Sequence, residues 1–131
     1  MHKFWFAALA VLGYAGAALA DPVEGLWKTA PQDDGSYGFV MVAACADAIC
    51  GVLVKGVNAQ GETATEGGNM GRQILWDMIP AGDGRYDGGK VWSPDRDTTY
   101  TSELNLDGDL LHVRGCFLGI CRDGGTWTRV K

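Results

Sequence analysis

The chain has no run of basic residues and almost no helical periodicity. An acidic sequence without a basic stripe lacks the electrostatic footprint of a nucleic-acid binder, and it is not drawn to anionic membrane surfaces. It contains no C-x-x-C pair, which argues against dithiol redox chemistry. It has no G-x-G-x-x-G phosphate cradle either; the glycine-rich stretch Glu66–Gly71 lacks both that spacing and a following helix. Histidine is scarce: His2 and His112 are the two. Beyond residue 20 no apolar run approaches the roughly 20 residues of a spanning helix.

What the chain has first is a leader. His2-Lys3 make a basic start, Phe4 through Ala17 an apolar run, and Ala18-Leu19-Ala20 a small-residue cleavage site. We therefore expect a signal peptide over 1–20 and a single exported, periplasmic or secreted, domain over 21–131. Residue 21 is Asp, so no lipid-modified cysteine follows the cut. Removing Lys3, the leader's one charged residue, takes the net charge from −5 to −6.

The four cysteines fall in two matched C-x4-C spacings, Cys45–Cys50 and Cys116–Cys121. In a small exported domain these read as two local disulfides, each across a hairpin end. Zinc is the alternative, but the spacing is wider than C-x2-C and no histidine lies near. No metal or cofactor is expected.

The strongest local signal is Tyr100–Cys116, two alternating runs around Asp107-Gly108. A two-residue loop there pairs Leu104 with Leu111, Ser102 with Val113, Tyr100 with Gly115 and Glu103 with His112. One face is apolar and one polar. A second hairpin runs through Phe39, Met41, Cys45, Cys50 and Val54, with a four-residue loop and with Lys55 left to solvent. Gln73–Ile79 reads as a strand with Trp76 and Met78 on one face and Asp77 on the other. Asn58–Gly71 is the one long loop. A bulge at Gly124-Gly125 is expected, because unbroken pairing from Cys116:Cys121 would leave Trp127 outside. Eight strands separated by turn signals predict an all-β, antiparallel up-and-down barrel. Such a barrel either fills with side chains or holds one small ligand.

Several blocks resemble domain of unknown function family 2147, a family of small exported bacterial proteins. They are Asp21-Pro22 with Gly25-Leu26-Trp27, Cys50-Gly51, Gly88–Pro94, Tyr100, Val113–Cys116 and Thr126–Arg129. The family's Pro-Asp turn usually continues with glycine and lysine; here Arg96-Asp97-Thr98 follows. The resemblance implies a lipocalin-like barrel, an exported location and no established reaction. Gly25-x-Trp27 and Arg129 also resemble the lipocalin pattern, which implies that Arg129 packs across Trp27 and closes one barrel end.

The functional expectation is a non-enzymatic binding module for a small apolar or amphipathic ligand. Phe39, Met41, Val54, Trp76, Met78, Tyr100, Ser102, Leu104, Leu111 and Val113 are expected to point inward around it. The alternatives are an envelope interaction protein acting through its outer face and a hydrolase using surface carboxylates. His112 faces outward with no nucleophile beside it. Asp95 and Asp97 next to Pro94 read as a turn rather than a cation site.

Overall fold

Short alternating runs, cut by glycine and aspartate turns, become nine strands. They are β1 (Gly25–Lys28), β2 (Tyr37–Cys45), β3 (Ala48–Val57), β4 (Thr63–Ala64), β5 (Gln73–Gly82), β6 (Arg85–Ser93), β7 (Thr98–Asp107), β8 (Leu110–Phe117) and β9 (Ile120–Arg129). The computed structural model describes residues 20–131, so the expected leader, Ala20 apart, lies outside the described residues. All the strands except β4 close into an eight-stranded antiparallel ring, each pairing with its neighbour in chain order and β9 returning to β1. β4 only extends β3. Closure leaves no free sheet edge within the ring. Among the described residues no helix is long and apolar enough to cross a membrane.

The central hairpin turns at Gly108-Asp109, one residue later than the sequence predicts. Gly108 has φ +60° while Asp109 is not left-handed. A left-handed residue at the first central position alone is the type II′ pattern, which takes glycine there. Leu104 therefore pairs with Val113, Leu106 with Leu111 and Ser102 with Gly115. The slip is two residues, so every side chain keeps its face. Leu104, Leu111, Val113 and Ser102 are buried. Tyr100 still covers Gly115, now diagonally: a Cβ on that glycine would lie 3.2 Å from the Tyr100 Cβ. On the outside Glu103 stands opposite Arg114 rather than His112.

The second hairpin corrects the sequence reading more deeply. Its loop is the two-residue Ala46-Asp47, so Cys45 pairs with Ala48 and Cys50 with Ala43. The Cys45–Cys50 disulfide forms diagonally, whereas Cys116 and Cys121 are bridged directly across their strands. Phe39, Met41 and Val54 do not point inward: Met41 is 41% and Val54 37% exposed, while Val40, Val42 and Leu53 are buried. Lys55 shares the outer face of Phe39, Met41 and Val54 because of a bulge. Val40 pairs with Leu53 but Phe39 with Lys55, leaving Val54 as the extra residue. A regular strand would put Leu53 and Lys55 on one face. The bulge sends Leu53 inward and Lys55 outward, where its ammonium lies 4.9 Å from the Phe39 ring centroid.

Strand β5 breaks its alternation too. Asp77 has φ +57°, and Leu75 and Met78 are both buried although three positions apart. Trp76 consequently does not share a face with Met78; it is half-buried and stands opposite exposed Lys90. On β9 the Gly124-Gly125 bulge is present, and it brings Trp127 opposite Leu111 and into the core.

The turn assignment makes a discriminating prediction. Gly108→Ala should cost about 1 kcal/mol, because alanine is strained at positive φ. Asp107→Ala, now a strand residue, should cost less than about 0.5 kcal/mol. Urea unfolding midpoints read both; the opposite ranking would place the loop one residue earlier.

Candidate functional site

The antiparallel order sends the short β2–β3, β5–β6 and β7–β8 turns to one end of the barrel, together with residues 21–24 and the C-terminus. The β1–β2, β3–β5, β6–β7 and β8–β9 connections gather at the other end. The two ends differ chemically.

The first end is shut. Trp27 is fully buried and its indole N–H donates to the Val23 carbonyl at 2.8 Å. The Arg129 guanidinium lies over the indole ring, 4.4 Å from its centroid. Its nitrogens donate to the Glu24 carbonyl at 3.0 Å, the Pro22 carbonyl at 2.6 Å and the Asp109 carboxylate at 3.0 Å. The buried Tyr86 hydroxyl donates to the Asp21 carboxylate. Burial foremost, and then Asp21, pushes the Tyr86 phenol well above the ordinary tyrosine range.

Above this plug the barrel is solid. Val40, Val42, Leu75, Met78, Leu104 and Leu111 fill it. Ser102, the one buried residue of the polar and charged types among the described residues, donates its hydroxyl to the Arg114 carbonyl at 2.9 Å.

Towards the second end the interior opens into a cavity of about 1030 Å³. Leu53, Ile74, Val91, Trp92, Tyr100, Val113 and Trp127 form its apolar wall. Trp92 is held in place by its N–H bond to Asp97 at 3.0 Å and by the Arg72 guanidinium, 3.4 Å from its ring centroid. The long 58–71 connection reaches over the mouth through Asn58, Glu62 to Ala64 and Glu66 to Met70. Five carboxylates line the rim (Asp33, Glu62, Glu66, Asp95 and Asp123) against two arginines, Arg96 and Arg122. Phe117, Leu118 and Ile120 complete the rim beside the Cys116–Cys121 disulfide, with Leu118 87% exposed. In the β1–β2 loop, hydrogen bonds from Ser36, its hydroxyl first and then its N–H, hold the exposed Asp34 carboxyl below the usual range.

The residues singled out in the sequence thus divide by level. Tyr100 and Val113 line the cavity. Met78, Ser102, Leu104 and Leu111 point inward but lie in the packed half, outside the lining. Phe39, Met41 and Val54 face solvent, and Trp76 is half-buried on the Lys90 side. Leu53, Ile74, Val91, Trp92 and Trp127 line the cavity but are not among the residues the sequence singles out for it. Cys116, Cys121 and Glu103 lie within 4.8 Å of one another, but the two sulfurs are joined to each other and offer no thiolate.

The sequence matches, over residues 25–129, the family described as "Uncharacterized protein conserved in bacteria (DUF2147)". The chain belongs to that family. Its fold is similar to protein HP1028 from the human pathogen Helicobacter pylori, described as belonging to the lipocalin family. The TM-score is 0.69 at 18% identity, over 83% of each chain. The fold of this DUF2147 protein is therefore lipocalin-like. No curated protein matches the sequence.

Tyr86 supplies a test of the shut end. Its folded pKa is raised, so its contribution is full below the unfolded value of about 10 and is lost as pH rises beyond it. Tyr86→Phe should cost about 1–2 kcal/mol at neutral pH. It should also flatten the alkaline fall in stability, read from denaturant midpoints between pH 8 and 11. An unchanged alkaline limb would show that the phenol does not carry it.

Proposed function

We propose that this protein is a binding module of the bacterial periplasm that holds one small amphipathic ligand in the open half of its barrel. The carrying observation is the apolar-walled cavity of about 1030 Å³ with a polar rim at a single end. That volume sits at the top of the roughly 300–1,000 Å³ typical of small-molecule sites, and the lining has their usual character, apolar walls with a few polar groups. Exported disulfide chemistry, the bacterial family and the lipocalin-like fold all support the reading.

Binding suits the site better than hydrolysis. General acid–base work needs a tuned proton donor within reach of the substrate. His112 instead sits on the outer face, its Nδ1 3.1 Å from the Thr126 hydroxyl. The rim also states a preference. With five carboxylates against two arginines, it favours a neutral or cationic head group over an anionic one.

Two measurements test this. An apolar fluorescent probe should bind at about one per chain and quench tryptophan emission, since Trp92 and Trp127 form the wall. Val113→Trp should weaken binding at least tenfold while the barrel stays folded, and outward Met41→Trp should leave it unchanged. With a common alkyl tail, a cationic amphiphile should bind more tightly than an anionic one, and salt should shrink the difference. If no probe enters, the binding reading fails and an interaction role for the outer face, with Phe39, Met41 and Val54, takes its place.

A further inference from the structure

The described fold is fastened from its very first strand-flanking residue, Asp21. Its backbone nitrogen lies 3.0 Å from Glu24 Oε2. Its carbonyl accepts the Glu24 N–H at 2.9 Å. Its carboxylate accepts the Val23 N–H at 3.0 Å and the Tyr86 hydroxyl. Ala20, one residue earlier, is exposed. The cleavage point expected from Ala18-Leu19-Ala20 falls directly before Asp21.

While Ala20 is attached, the Asp21 nitrogen is a neutral amide with one N–H. Cleavage by a signal-processing peptidase changes its chemistry. The Ala20 carbonyl carbon takes the hydroxyl of a water molecule and the C–N bond breaks. The departing nitrogen takes the water's remaining proton and, at neutral pH, one more from solvent. The group beside Glu24 is then a cation with three donors, and a neutral hydrogen bond becomes an ion pair, the stronger class of contact.

We propose that Glu24 is a built seat for the α-ammonium that export processing releases at Asp21, so that the barrel reaches its full stability only once the leader is gone. The surrounding charges favour it. The Glu24 carboxylate faces the nitrogen, and the Asp21 carboxylate on the same residue is taken up by the Val23 N–H and the Tyr86 hydroxyl. Tyr86 from β6 brings a neutral hydroxyl to Asp21. Arg129 from β9 binds the carbonyls of Pro22 and Glu24 and is paired with Asp109 at 3.0 Å. The seat is also coupled to closure of the ring, because Val23 accepts the Trp27 indole from β1 and Arg129 grips the segment from β9. A charge gained at residue 21 therefore acts on the strands that complete the barrel.

The test compares the protein exported and purified from its own envelope with the same chain retaining Ala20. Intact mass should show a start at Asp21; a start elsewhere overturns the proposal. The processed form should melt about 2–5 °C higher at pH 6–7, and Glu24→Gln should abolish that gap. An ammonium seated on the Glu24 carboxylate holds its proton to higher pH than a free one. The gap is therefore full below the unfolded value of about 7.7–8.0 and closes as pH rises through the folded one. Tyr86, pushed above the ordinary range, stays neutral there and does not supply the slope. Equal melting temperatures, or a gap that survives Glu24→Gln, overturn the proposal. Should Glu24→Gln fail to fold, the rate of reductive methylation of the α-amine against pH decides instead. A midpoint above 8 supports the seat, and a midpoint at or below the ordinary value refutes it.

Discussion

Closure of the ring rests on Arg129. β1 is four residues long and meets β9 at only two registered pairs, Trp27 with Arg129 and Lys28 with Thr128. So short a strand contributes few ladder bonds, yet without it the sheet would have two edges. Backbone bonds between Leu26 and the Val130-Lys131 end extend the seam, and one side chain reinforces it. Arg129 covers the indole of its own cross-strand partner and binds two carbonyls of the chain that leads into β1. The planar guanidinium can stack and donate in several directions at once, which an ammonium cannot do. The fully buried Trp27 and Val23 below it are thereby sealed from water.

The ring was largely legible in the sequence because its evidence is local. Turn residues and period-two alternation mark a strand whatever happens elsewhere, and a two-residue slip at Gly108 leaves every face unchanged. The bulge at Gly124-Gly125 was legible for a similar reason: Trp127 belongs inside and unbroken pairing would leave it out. The faces of β2, β3 and β5 were not legible. There the alternation is broken by single residues, Val54 and Asp77, that carry no glycine to announce the break. Both faces of the second hairpin are apolar, so hydrophobicity could not choose between them. Lys55 correctly pointed outward, but the extra residue at Val54 separates its face from that of Leu53.

The cavity was the least legible feature, because it depends on level rather than face. Residues that all point inward are distributed along the barrel axis by strand tilt and stagger, which are properties of the closed ring. Leu104 and Leu111 share a face with Val113, yet only Val113 reaches the open half. Trp92 and Trp127 come from strands far apart in sequence and line one cavity only in the folded barrel. An alternation pattern reports that a side chain is inside; it carries no information on whether packed neighbours or open space meets it there.

The division of the barrel into a solid half and an open half distributes stability unevenly. The packed residues lie near the Trp27–Arg129 plug, where the leading segment, β6 and β9 are tied together. The open half gives up core contacts, and its rim is held by other means. The Cys116–Cys121 bridge restricts the β8–β9 turn, where Leu118 takes a left-handed conformation at φ +52° that a leucine ordinarily avoids. Asp97, also left-handed at φ +47°, accepts the Trp92 indole and fixes the wall where the β6–β7 turn crosses it. Across the mouth the 58–71 connection is tied by its own bonds, the Asn58 N–H donating to the Glu62 carbonyl at 2.9 Å and the Gly71 N–H to the Leu53 carbonyl at 2.7 Å.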